Sequence, residues 1–137
     1  MIVASERIKH FTQLKVWQKA HYLFLDALKD VEVYPKLEGA RIVTSQVLRS
    51  IGSIGANIAE GFNAKSTKQY AYCLDIARRT SAESENWYYK IRDAGYLPMD
   101  TANKRISECI EISKMIQAII NKLKMKESDK GQGESDK

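Results

Sequence analysis

The run from Arg41 to Asn63, RIVTSQVLRSIGSIGANIAEGFN, does most to narrow what this chain can fold into, because as a helix it keeps almost no face for solvent. Val47, Ile51, Ile54 and Ile58 step by four, three and four, the spacing of one buried helical stripe. Roughly 100° to one side, Gly52, Gly55 and Ala59, extended by Ser45 and Phe62, form a stripe of small residues where another backbone could approach. To the other side Gln46, Ser50, Ser53, Asn57 and Glu60 repeat at the same spacing as short or amide-type polar groups. Only Ile42, Arg49, Ala56 and Asn63 remain for a fourth, narrow face. A surface helix of a monomeric bundle has one apolar stripe and a broad, charged solvent face. Each interior glycine costs about 1 kcal/mol against alanine, so close packing has to offset it. Either two neighbouring helices cover this one inside a bundle, or its remaining face meets another subunit.

At 137 residues the chain suits one domain with its own core. Prolines occur only at 35 and 98 and leave long uninterrupted segments, and 44% hydrophobic with 28% charged residues is a globular composition. No run of 18 uncharged apolar residues is present, and MIVASERIKH becomes charged within six residues, so neither a membrane span nor a signal peptide is expected and the location predicted is cytoplasmic. Cys73 and Cys109 sit singly in helical patterns and read as small buried hydrophobes of a reducing compartment.

Periodicity predicts four helices, at about 12–31, 36–61, 66–94 and 99–124. The first carries Leu14, Trp17, His21, Leu25 and Leu28 on one stripe, with Val16, Ala20, Phe24, Ala27 and Val31 beside it; His21 is expected inside the bundle with its ring nitrogen satisfied. Tyr34-Pro35 separates it from the second, whose end Gly61 is placed to close in the left-handed conformation. Ser66-Thr67-Lys68-Gln69 fits a capping box at the start of the third, whose stripe is Tyr70, Cys73/Leu74, Ala77, Ser81, Ser84, Trp87/Tyr88 and Ile91. Gly95 and Pro98 end it. The fourth is carried by Ile106, Cys109/Ile110, Ser113, Ile116, Ile120 and Leu123, broadened by Ile112 and Ile119. Short connections predict antiparallel neighbours, hence an all-α, up-down-up-down antiparallel four-helix bundle over 11–125. Residues 1–10 form an N-terminal extension, and the apolar-free KESDKGQGESDK at 126–137 reads as a disordered charged tail.

The bundle lacks the chemistry of an enzyme. Neither His10 nor His21 follows a glutamate by three, no glycine-rich phosphate loop links a strand to a helix, and no Gly-x-Ser-x-Gly or helical Cys/His pair occurs, so no catalytic residue, metal or cofactor is expected. A turn centred near residue 64 sets Arg49 level with Arg79 and Gln46 with Ala82 to Glu83. An Arg49–Glu83 pair in a network with Gln46 and Ser53, with Asn57 and Glu60 on the same stripe, would then fix register and subunit contacts.

Leu14-x-Val16-Trp17-x-x-Ala20, the helix-two run Gln46-x-x-Arg49-Ser50-x-x-Ser53-Ile54-x-x-Asn57-Ile58-Ala59-Glu60-Gly61, the series Ala77, Arg78, Ser81, Glu83, Glu85 and Trp87, and Gly95-Tyr96-Leu97 together resemble the bacterial four helix bundle proteins encoded in 23S rRNA intervening sequences. The resemblance covers about 11–123. That family is similar in turn to the accessory variability determinant protein of diversity-generating retroelements. The resemblance implies a four-helix protomer in a ring-like homopentamer, a basic surface able to contact RNA or DNA, and, in the retroelement relatives, a reverse transcriptase partner.

The net charge of +5 points the same way, since the chain up to Met125 carries 19 basic against 13 acidic residues. Two functions follow. In one, Arg41, Arg49, Lys65, Lys68, Arg78, Arg79, Lys104 and Arg105 contact phosphates, and Tyr72, Trp87 or Tyr89 stack on bases. In the other, the oligomer is a protein-interaction scaffold and its charge is incidental.

Overall fold

Helix α1 spans Lys15–Asp30, α2 Glu38–Phe62, α3 Thr67–Asp93 and α4 Met99–Ser135. The computed structural model describes the backbone of residues 7–135 and the side chains of 7–129, and among them no strand occurs. α2 packs against α1 and α3, α3 against α4, and α1 against α4. The core between them is built from Val47, Ile51, Ile54 and Ile58 of α2, Leu74, Ala77, Tyr88 and Ile91 of α3, and Ile106, Cys109, Ile112, Ile116 and Ile120 of α4.

The helix ends follow local chemistry, with two departures from the sequence reading. Gly95 adopts φ +77°, Tyr96 N–H donates to the Ile91 carbonyl and Gly95 N–H to that of Arg92, the double closure that only a left-handed residue permits. Ser66 Oγ accepts from the Gln69 amide at 3.1 Å, but the Gln69 side chain turns to Cys73 Sγ instead of completing the box. The reciprocal box sits at His10 and Gln13, over a 3-10 turn at Phe11–Gln13; this turn delays α1 from the expected residue 12 to Lys15. Gly61 is the second departure. It lies within α2 at helical angles, and a Cβ there would stand 2.8 Å from Cys73 Cβ and 2.9 Å from Tyr70 Cδ1. Its value is therefore close approach of α3, while Asn63 closes the helix through an amide bonded to the Ala59 and Gly61 carbonyls.

Of the two apolar stripes expected on α1, only the one with Val16, Ala20 and Ala27 is buried, and Leu23 joins it. Val16, Ala20, Leu23 and Ala27 point inward, whereas Leu25 and Leu28 are 38% and 42% exposed. Two alanines on the inner stripe let the helix sit close, and this leaves the larger side chains outside. His21 is exposed, stacked on Trp17 at 4.7 Å, and not inside the bundle. The stripe of small residues on α2 receives ring edges instead of a backbone: the Cβ position at Gly52 is 3.4 Å from Phe24, and that at Gly55 3.5 Å from Trp17.

α4 runs to Ser135, where the sequence reading ends the helix near 124 and places a disordered tail. Lys126, Glu127 and Lys130 are good helix formers and no proline intervenes, so the helix propagates past its buried turns; residues 124–129 are all exposed.

Candidate nucleic-acid and subunit surfaces

Arg105, counted from sequence among the phosphate-contacting cations, is only 8% exposed. Its Nε donates to Asp30 Oδ2 at 2.6 Å and its Nη2 to Asp30 Oδ1 at 3.2 Å, while Nη1 reaches Glu108 at 3.1 Å and Asp26 at 3.5 Å. The hydrogen bond that Arg105 donates to Asp30 raises the guanidinium above its ordinary value against the opposing effect of burial. This cluster ties the end of α1 to α4 and takes Arg105 out of any nucleic-acid surface. Nearby, the hydroxyls of Tyr34 and Tyr88 are buried without a partner; burial pushes both phenols well above their usual range, aided at Tyr34 by the Asp30 charge and at Tyr88 by Tyr34 and then Asp30. Burial likewise pushes the Cys109 thiol up to about 12, so it stays a thiol at neutral pH.

The polar stripe of α2 meets α3 at Ser50, whose hydroxyl lies 2.9 Å from that of Ser84. Ser84 also donates to the Thr80 carbonyl, and Ser81 donates to the Cys109 carbonyl across to α4. The expected Arg49–Glu83 ion pair does not form. Both residues line a cleft of about 210 Å³ with Ser50, Ser53 and Thr80, yet both are exposed, and the helices meet at Ser50–Ser84 instead of bringing Gln46 level with Glu83. Asn57 folds back on its own helix and donates to the Ser53 carbonyl and hydroxyl at 2.9 and 3.0 Å. Gln46 is half-buried and Glu60 exposed.

The other cations divide into two groups. Arg41 makes a bidentate pair with Glu38, and Arg78 and Arg79 share Asp75, whose carboxyl the Arg78 hydrogen bond holds below its ordinary value. Arg49, Lys65, Lys68 and Lys104 are exposed and, among the described residues, have no ion-pair partner. Lys68 lines a cleft of about 350 Å³ with Thr67, Ala71, Leu123, Lys124 and Glu127. Lys122 and Lys124 are the cations the sequence reading missed. They fall at the end of a predicted helix, and only packing brings Lys124, with Lys122 two residues before it, to the end of the molecule where α3 starts. Of the aromatics, Tyr72 is 59% exposed, Tyr89 is tied to Glu85 with Arg92 over its ring, and Trp87 is half-buried with an unpartnered Nε1.

A second surface lies between α1 and α2, where a groove of about 380 Å³ is lined by Trp17, His21, Phe24, Ile51, Gly52 and Gly55. Leu25, Leu28 and Ile42 are exposed on the same two helices. The outward stripe of α2, Ile42, Ser45, Arg49, Gly52, Ala56 and Glu60, holds small residues at Ser45, Gly52 and Ala56 and charge only at Arg49 and Glu60, less than a fully solvated helix face would carry.

The model of the 23S rRNA-intervening sequence proteins matches residues 12–118. The chain belongs to that family. The matched span runs from the 3-10 turn before α1 into the second half of α4, so the 23S rRNA-intervening sequence protein family takes in the groove between α1 and α2, while Lys122, Lys124 and the α4 side of the Lys68 cleft lie beyond the match. Among solved structures, a protein of unknown function from the S23 ribosomal protein family of Bacteroides thetaiotaomicron superposes with a TM-score of 0.71 at 26% identity, over 77% of this chain and 97% of that one. No curated protein sequence matches the chain. Among the described residues, no helix is long and apolar enough to cross a membrane.

Proposed function

We propose that this 23S rRNA-intervening sequence family member is a non-enzymatic, cytoplasmic homo-oligomer of up-down-up-down antiparallel four-helix bundles that binds RNA or DNA through its basic surface. Held in this way, nucleic acid could be presented to a reverse transcriptase or an RNA-processing partner. The observation that carries the reading is the set of exposed cations without carboxylate partners among the described residues, Arg49, Lys65, Lys68 and Lys104 with the added Lys122 and Lys124. Unneutralised surface cations attract polyanions by counterion release. The buried polar groups have structural duties: Ser50 and Ser81 join helices, and Arg105 is held by three carboxylates.

Support for the topology comes from cross-helix pairs that run in opposite order, Ser50 with Ser84 and Gly61 with Cys73, then Trp17 with Gly55 and Phe24 with Gly52. Support for self-association comes from the exposed apolar residues Leu25 and Leu28 of α1 and Ile42 of α2. A ring of five is the assembly that the family resemblance implies. Light-scattering mass across a salt series, with and without a labelled structured RNA, tests the reading. The expected result is a stable oligomer that RNA shifts to a larger species, which dissolves between about 50 and 200 mM salt. A monomer indifferent to RNA would overturn it. The second reading, a protein-interaction scaffold, draws on the same apolar groove and predicts partner binding that survives high salt.

A further inference from the structure

Several contacts gather four chain segments at one pole of the molecule. Trp17 lies over Gly55, Gly61 meets Cys73, and the Phe62 ring stands edge-on to Tyr70 at 6.2 Å. Thr67 and Lys68 share a cleft with Leu123 and Lys124. The start of α1, the end of α2, the start of α3 and the last packed turn of α4 therefore lie together. At this pole Lys9, Lys15, Lys65, Lys68, Lys122 and Lys124 are all exposed, and among the described residues none has a carboxylate at ion-pair distance. Glu60, Glu127 and Asp129 are the nearby acids, and Glu127 lines the same cleft as Lys68 and Lys124. The opposite pole also carries Lys29, Lys36, Lys90 and Lys104 without ion-pair partners among the described residues, but there they and Arg41, Arg92 and Arg105 are balanced by Asp26, Asp30, Glu32, Glu38, Asp93, Asp100 and Glu108. The surplus of positive charge is thus concentrated at one end.

We infer that this pole binds single-stranded nucleic acid, with Lys65, Lys68, Lys122 and Lys124 on successive phosphates and Tyr72 stacked on a base; the inference rests on the nucleic-acid reading above. Tyr72 follows Lys68 by four residues on α3, so the two share a face. It is 59% exposed and makes no hydrogen bond among the described residues, unlike Tyr89, which is bound to Glu85. The cleft between Lys68 and Lys124 is floored by Ala71 and Leu123, apolar surface suited to a sugar or base face. An exposed ring one helical turn from a phosphate-contacting lysine can be used by a strand whose bases are unpaired; a duplex keeps its faces stacked.

Fluorescence anisotropy with a labelled single strand, as RNA and as DNA, and with the corresponding duplex tests the assignment. Each phosphate contact contributes about 0.7 to 0.9 decades of affinity at 0.1 M salt. The triple variant Lys65→Gln, Lys68→Gln, Lys124→Gln is expected to lose roughly 100-fold, with a salt slope shallower by about 2. Lys29→Gln, Lys36→Gln, Lys90→Gln removes as much charge from the opposite pole and is expected to lose less than about threefold. Tyr72→Ala is expected to weaken the single strand by about fivefold or more and leave the duplex unchanged. Equal losses from both triple variants would overturn the polar site while the nucleic-acid reading stands. Tighter duplex binding that ignores Tyr72→Ala would overturn the single-strand assignment. Failure of the unaltered protein to bind any of these probes at about 50 mM salt would overturn the nucleic-acid reading itself.

Discussion

Gly61 and Gly52 are both interior residues of α2, and their replacement by alanine is expected to change stability in opposite directions. Each substitution gains about 1 kcal/mol of helix propensity. At Gly52 the new methyl would sit 3.4 Å from Phe24 Cε1, an ordinary contact with a ring on the open side of α1, so the gain survives. Gly52→Ala should stabilise by about 0.5–1 kcal/mol. At Gly61 the methyl would lie 2.8 Å from Cys73 Cβ, 2.9 Å from Tyr70 Cδ1 and 3.2 Å from the Tyr70 carbonyl oxygen. Neither a Cβ nor a carbonyl can turn aside, so α2 and α3 must move apart by more than half an ångström. Overpacking of this kind costs about 1–3 kcal/mol, toward the upper end when backbone must shift. After the propensity gain, Gly61→Ala should destabilise by about 1–2 kcal/mol. Urea unfolding followed by far-UV circular dichroism reads both values, with the m-value expected unchanged. If Gly61→Ala proved as stabilising as Gly52→Ala, the close approach of α2 to α3 at this point would be wrong.

Truncating Arg105 to Ala should cost about 3–5 kcal/mol, because the Asp30 carboxylate is left buried and unpaired, whereas the exposed neighbour Lys104→Ala should stay within about 0.5 kcal/mol; thermal unfolding distinguishes them. Stability should fall as pH rises. Tyr34, Tyr88 and Cys109 all have folded-state values raised by burial, so their contribution is complete below their ordinary values of 10.0 and 9.0 and is lost above them. Urea midpoints at pH 8 and pH 11 should show the drop, and an unchanged midpoint would mean that these groups are solvated. Amide exchange should be slow through Ile120 and fast beyond Met125, where α4 rests on propensity alone; uniform protection to the end of α4 would require a partner for its last turns.

Helix positions and inner faces were legible wherever a single local pattern sufficed. The isoleucine stripe of α2, the small-centred stripe of α3, the Gly95 closure and the Ser66 cap each depend on residues within a turn or two of one another, and periodicity or capping chemistry reads them directly. Four features depended on which helix came to lie beside which. α1 has two apolar stripes, and only the approach of α2 and α4 chose the one with Ala20 and Ala27 for burial. Arg105 looks in sequence like any surface cation, yet Asp30, 75 residues earlier, turns it into a buried anchor. Gly61 carries the composition of a helix terminus but serves a contact with Cys73. Lys68 and Lys124 are far apart in the chain and share a cleft. Backbone propensity and side-chain period are short-ranged, so one segment can declare them alone; burial, ion pairing and charge concentration are properties of neighbours that the chain supplies only after it has folded.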